Sequence, residues 1–169
     1  VGGVIINKQN LLNYAAGTQT NAHMKILADI SKSCNLLLNE NLSEKKLSMI
    51  DALEKLLPQV NNNAIVFVVS DFYDMDDKFF KTLSKIRIKA EICLILIEDD
   101  FEVNPQTGTF NIRLGELSAS MDLDNTNFHK KYKEFFAQRI DKLMKFCLSH
   151  AVHFFRFNTS EDDIKKFKK

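Results

Sequence analysis

The chain has 169 residues, 45% of them hydrophobic, and a formal net charge of +1, which fits one soluble domain with a real core. The balanced charge argues against a dedicated nucleic-acid surface, which needs a clustered basic excess. Lysine supplies most of the positive charge, and the scarcity of arginine (Arg87, Arg113, Arg139 and Arg156 only) disfavours fork-type recognition of phosphate or carboxylate.

In chain order, Gly2 to Ile6 reads as a short strand, followed by a polar stretch through Thr20. Met24, Leu27, Ile30, Cys34 and Leu37 recur at helical spacing and predict an amphipathic helix over Asn21 to Leu38. Ser43 is the predicted N-cap of a second helix, with Leu47, Ile50, Leu53 and Leu57 on one face. Pro58 should end that helix by pushing Leu57 away from helical geometry. The six apolar residues from Ala64 to Val69 then stop abruptly at Ser70-Asp71, predicting a strand buried on both faces, as in a parallel sheet.

Asp74 to Asp77 place negative charge at a helix N-terminus, and Phe79, Phe80, Leu83 and Ile86 give that helix its apolar stripe. Glu91 to Ile97 is a second continuous apolar strand, ending in Glu98-Asp99-Asp100. Strand, helix and strand with short connections make a βαβ unit. Turn chemistry at Asn104 to Gly108 opens a β-hairpin excursion over Thr109 to Arg113 and Leu117 to Met121. A long helix from Thr126 to His150 and a strand from Val152 to Phe157 follow, and alternation leaves Phe155 exposed. Ser160 should cap a short terminal helix carrying Ile164 and Phe167. The whole is an α/β domain, Rossmann-like, with a mostly parallel sheet and helices on both faces.

Cys34, Cys93 and Cys147 are widely spaced within apolar patterns and read as buried reduced thiols, which points to the cytoplasm. Apolar runs of about six residues fall far below the roughly twenty needed to span a bilayer. Two chemistries compete for the strand-end acids. A metal-dependent phosphohydrolase would use Asp71 and Asp99 to hold an ion and activate water. No partner histidine or phosphate-binding glycine loop accompanies them, which favours a solvated acidic loop and, at Asp71, a turn residue capping the backbone.

The landmarks also come in a recognisable order: Val1-Gly-Gly-Val-Ile-Ile6, Val68-Val-Ser-Asp-Phe72, Asp99-Asp-Phe-Glu102 with Pro105 and Gly108, the hairpin, the Tyr132-containing helix, and Phe154-Phe-Arg-Phe-Asn-Thr159. In this the chain resembles the C-terminal two-thirds of the von Willebrand factor A-like domain of the bacterial DUF fifty-eight family, over residues 1–169 as one domain. The resemblance implies a non-enzymatic protein-interaction or adaptor module that docks partners at the carboxyl edge of the sheet. It implies a MoxR-type AAA+ ATPase as partner, and in many members membrane helices outside the domain. It also implies a divalent-ion site in the intact domain, for which Mg²⁺ is the expected ion. Asp71 matches one ligand of that site, and Ser48 is the weaker second candidate. The Asp-x-Ser-x-Ser loop and the first central strand are expected upstream of Val1, so no cofactor is expected in this chain itself. The candidate docking residues are Ser70, Phe72, Asp99 and Glu102. A missing central strand should leave an open edge beside Ile65 to Val69 and drive self-association.

Overall fold

The structure, a computed structural model, describes residues 1–7, 10–17, 20–36, 47–114 and 117–160. These form a mixed α/β fold in two compact units, Val1–Ala64 with Asp74–Ala90 and Ile65–Tyr73 with Glu91–Lys169. The predicted N-cap at Ser43 and the predicted terminal helix with Ile164 and Phe167 lie outside the described residues.

In the first unit, β1 (Gly3–Ile6) pairs antiparallel with β2 (Leu11–Tyr14), Gly3 opposite Tyr14 and Ile6 opposite Leu11. No strand was expected in the polar stretch after Ile6. Leu11, Leu12 and Tyr14 supply the strand-forming residues there, and Asn7 accepts the amide of Asn10 at 2.7 Å to close the turn. Gly2 is required beside this hairpin, because a Cβ there would meet the Ala16 backbone nitrogen at 2.7 Å. The helix α1 (Thr20–Leu36) is tied to the hairpin by polar contacts: the Tyr14 hydroxyl donates to Asp29 at 2.7 Å, and the Asn7 amide donates to the Ser33 hydroxyl. The described part of its apolar stripe is exposed, Met24 and Leu27 by about three-fifths and Ile30 by 43%.

The helix α2 (Met49–Leu56) starts at Ser48, not at Ser43, because Ser48 and Asp51 form a reciprocal capping box. Leu57 also departs from expectation. It stays helical (φ −48°, ψ −45°), and Pro58 sits at the start of a 3-10 turn over Leu57–Gln59. A proline is tolerated in a first turn because its missing N–H is not needed there, so the α-helix ends at Leu56 as expected, but Leu57 keeps helical angles and the chain runs on as a 3-10 turn. The helix α3 (Asp77–Arg87) is capped by Asp76, whose carboxylate accepts the Phe79 amide at 2.8 Å. Phe79, Leu83 and Ile86 are fully buried, and α2 packs against both α3 and β1.

The second unit is organised by a parallel three-stranded sheet in the order β3 (Ala64–Ser70), β4 (Ala90–Glu98), β7 (His153–Asn158). The central strand β4 buries Ile92, Leu94 and Leu96 completely. The edge strand β3 corrects the sequence reading. Val66 and Val68 are buried, but Ile65, Phe67 and Val69 are each more than 60% exposed, so only one face of this apolar strand is covered. Continuity of apolar residues reports capacity for two-sided burial; the presence of a covering layer is a separate matter.

Beyond β4 comes a short helix α4 (Asp100–Val103), then the antiparallel hairpin of β5 (Thr109–Leu114) and β6 (Leu117–Asp122). The helix α5 (Thr126–His150) is capped by Asn125, packs on β7 and α4, and buries Phe136, Arg139, Leu143, Phe146 and Cys147. It ends on Ala151 in the left-handed region (φ 51°). Cys93 and Cys147 are free and buried, and burial pushes the Cys147 thiol up to about 11. Phe155 is exposed, as strand alternation requires. Among the described residues no helix is long and apolar enough to cross a membrane.

Candidate functional site at the carboxyl edge of the sheet

Because β3, β4 and β7 run parallel, their carboxyl ends lie along one edge, the position at which open α/β sheets present ligand-binding loops. Three segments converge there by hydrogen bonding: Ser70 to Tyr73, Glu98 to Glu102, and Arg156 to Thr159.

The turn after β3 is built locally. The Ser70 hydroxyl accepts the Phe72 amide at 3.1 Å, and the Asp71 carboxylate accepts the Tyr73 amide at 3.3 Å. These bonds hold Phe72 in the left-handed region (φ 54°), an uncommon conformation for an aromatic residue, while its ring is fully buried. Asp71 thus serves the turn, as its bland sequence reading supposed. The Tyr73 hydroxyl reaches across to donate to Glu102 at 2.9 Å. Burial first, and this bond second, raise the Tyr73 phenol well above its ordinary range.

Glu102 is the hub. Its other carboxylate oxygen accepts from Arg139 of α5 at 2.9 Å. The Arg139 side chain is only 5% exposed, and its guanidinium carbon lies 4.3 Å from the centre of the Tyr73 ring and 4.9 Å from that of Phe136. Both rings are close enough for cation–π attraction. At the end of β4, Glu98 takes a two-pronged guanidinium fork from Arg156 of β7 at 3.0 and 2.9 Å. Asp99 caps α4 by accepting the Phe101 amide, and also accepts the Thr159 hydroxyl at 2.9 Å. Those two donors, in that order, hold its carboxyl below the usual range. Asp100 accepts from the Asn158 amide.

Of the residues singled out from sequence, Ser70, Asp71 and Phe72 share the first loop, Glu102 is joined to it through Tyr73, and Asp99 is joined to Thr159. No hydrogen bond links Asp71 to Asp99 among the described residues. Ser48 belongs to the first unit, where its hydroxyl is engaged in the capping box. Mg²⁺ takes near-octahedral oxygen ligation anchored by one or two carboxylates. The edge offers Asp71 with one oxygen already engaged, and among the described residues no three His, Cys, Asp or Glu side chains converge as a metal site. These residues do not fit the ion.

Sequence reasoning passed over Tyr73, Arg139, Arg156 and Thr159. A signal was present for one of them. Arg139 follows Phe136 by three residues and precedes Leu143 by four, so it falls inside the apolar stripe of α5. A charged residue on a buried face needs a partner. The scarcity of arginine also misled, because two of the four arginines are gathered at this one edge.

Comparison of the chain with family models, with curated proteins and with solved structures finds no match.

Proposed function

We propose that the chain is a non-enzymatic protein-interaction module of the von Willebrand factor A-like kind, one domain with helices on both faces of its sheet, acting in the cytoplasm. Its docking surface is the carboxyl edge of the sheet, and its partner is a MoxR-type AAA+ ATPase. The observation that carries this reading is the convergence of three strand ends into one hydrogen-bonded edge with an outward carboxylate at Asp71. The hydrolase alternative draws less support, because Asp99 and Glu102 are committed to structural partners. The docking proposed here draws on no metal, since among the described residues the edge offers no fitting ligand set.

The test is binding of a purified MoxR-type ATPase from the same genome to the immobilised protein, with Mg²⁺ and with EDTA. Saturable binding in both conditions, weakened about tenfold or more by Asp71→Lys, is expected. Binding unaffected by that exposed charge reversal would move the docking surface away from this edge. Absence of binding would remove the ATPase as partner.

A further inference from the structure

Parallel pairing sorts the side chains of the three-stranded sheet onto two faces. Ile95 sits beside Phe155 and Ile97 beside Phe157 in the register of β4 with β7, so these four share one face. Ile92, Leu94 and Leu96 lie on the opposite face, where they are fully buried. The face that carries Ile95 and Ile97 is poorly covered. Both isoleucines and Phe157 are half-buried, and Phe155 is 52% exposed. Cys93, at the start of this row, is the exception and is buried. On β3 the bare row is Ile65, Phe67 and Val69. It belongs with the Ile95 face, because a row beside the sealed residues of β4 would itself be largely sealed.

Every second residue along this face, from Ile65 to Val69, from Cys93 to Ile97 and from His153 to Phe157, is something other than Asp, Glu, Lys or Arg. The centres of protein interfaces are likewise depleted of charge and enriched in aromatic residues. At their observed exposures, Ile65, Phe67, Val69 and Phe155 leave roughly 500 Å² in water, and their half-buried neighbours bring the patch to about 600 Å². That is the upper end of what a monomer ordinarily leaves in one patch. Sheets pack on sheets face to face, their inner side chains interdigitating. A two-fold axis needs only one such patch, since the same surface serves both copies. Two copies would bury roughly 1,200 Å², which reaches the range of specific, stable interfaces.

We propose that two copies of the chain pack this face of the sheet against itself about a two-fold axis. Pairing of two β3 edges would satisfy backbone groups and still leave the face in water, so the face contact is separate from edge pairing. It is also independent of the adaptor reading, which concerns the loops at the carboxyl edge.

The experiment is sedimentation velocity of the whole 169-residue protein over about 1–100 µM. The expected result is a monomer–dimer equilibrium whose dissociation constant rises about tenfold or more in Phe155→Lys, because an ammonium buried on this face would lack a partner. Phe155 lies on β7, at the far side of the sheet from the β3 edge, so that variant leaves edge pairing intact. Leu27→Lys alters the exposed stripe of α1, the competing apolar occupant, and should leave the dimer unchanged. A soluble gadolinium chelate gives a second readout that needs no variant. As concentration rises, the methyl signals of Ile65, Val69 and Ile97 should lose most of their relaxation enhancement, while that of Met24 keeps it. A chain that stays monomeric throughout would overturn the proposal. So would dimers of full strength in Phe155→Lys, which assign the contact to the β3 edge. Weakening by Leu27→Lys would assign it to α1, and face methyls that stay accessible in the dimer would place it elsewhere.

Discussion

Glu102→Gln tests the centre of the carboxyl edge with almost no change of shape. The substitution removes the one carboxylate paired with Arg139 among the described residues; the Arg139 side chain is 5% exposed and that of Glu102 17%. Stranding a buried charge costs about 3–5 kcal/mol. Partial exposure of the carboxylate and the two aromatic faces over the guanidinium place this case at the lower end, ~3 kcal/mol. The glutamine oxygen can still accept from Tyr73, so that bond loses only its charge assistance. For a chain of this size the melting temperature should fall by ~6–12 °C. Thermal and urea unfolding followed by far-UV circular dichroism would measure it, since the chain has no tryptophan to report by fluorescence. The companion is Glu102→Leu with Arg139→Met, which removes both charges and should return to within ~1 kcal/mol of the parent. A single variant that loses less than ~1 kcal/mol, or a double variant worse than the single, would refute the argument that charge compensation holds this edge together.

Three further outcomes are expected. Thr159→Val removes one of the two donors that depress Asp99, so the Asp99 midpoint followed by carboxyl NMR should rise toward the ordinary ~3.9. A depressed carboxyl contributes stability that is present above its unfolded value and lost as pH falls through the folded one. The variant should therefore lose stability near neutral pH and show a weaker dependence on acid; an unmoved midpoint would show that the Thr159 bond does not matter. Ala151→Gly relieves a left-handed alanine at the end of α5 and should stabilise the protein by ~1 kcal/mol in urea unfolding; a loss of stability would mean that the conformation is not strained. The β3 edge carries no charge from Ala64 to Ser70, so two copies can pair across it without like-charge repulsion. Sedimentation velocity should show self-association that Phe67→Lys shifts toward monomer, and an unchanged distribution in that variant would place any contact elsewhere.

Features fixed by short-range chemistry were legible in the sequence. The helix from Thr126 to His150 appears with the boundaries its apolar period implied, and the hairpin after Gly108 lies where turn residues separate two alternating runs. Asp71 at the end of an apolar strand was found for the same reason. What escaped depends on contacts far apart in the chain. Nothing near Arg139 announces Glu102, which lies 37 residues earlier, and nothing near Arg156 announces Glu98, which lies 58 residues earlier. β3 was misread because a run of apolar residues shows what a strand could bury, whereas its exposed face depends on which layers surround it. Ser48 was read as a candidate ligand, while the Asp51 three residues on made it a helix cap, a pattern present in the sequence.

The left-handed turn at Phe72 has a bearing on how quickly and how tightly anything could dock beside it. A conformation of this kind costs of order 1–3 kcal/mol and persists only where its surroundings enforce it. Here the enforcement comes from within: the ring is sealed in the core and two side-chain oxygens grip the following amides. The loop has therefore surrendered its conformational freedom during folding, before any encounter. A visitor would meet a preset template, so little ordering entropy would be left to oppose association. Replacing Phe72 with a smaller residue would restore that freedom and convert a preset surface into one that must be organised at every encounter.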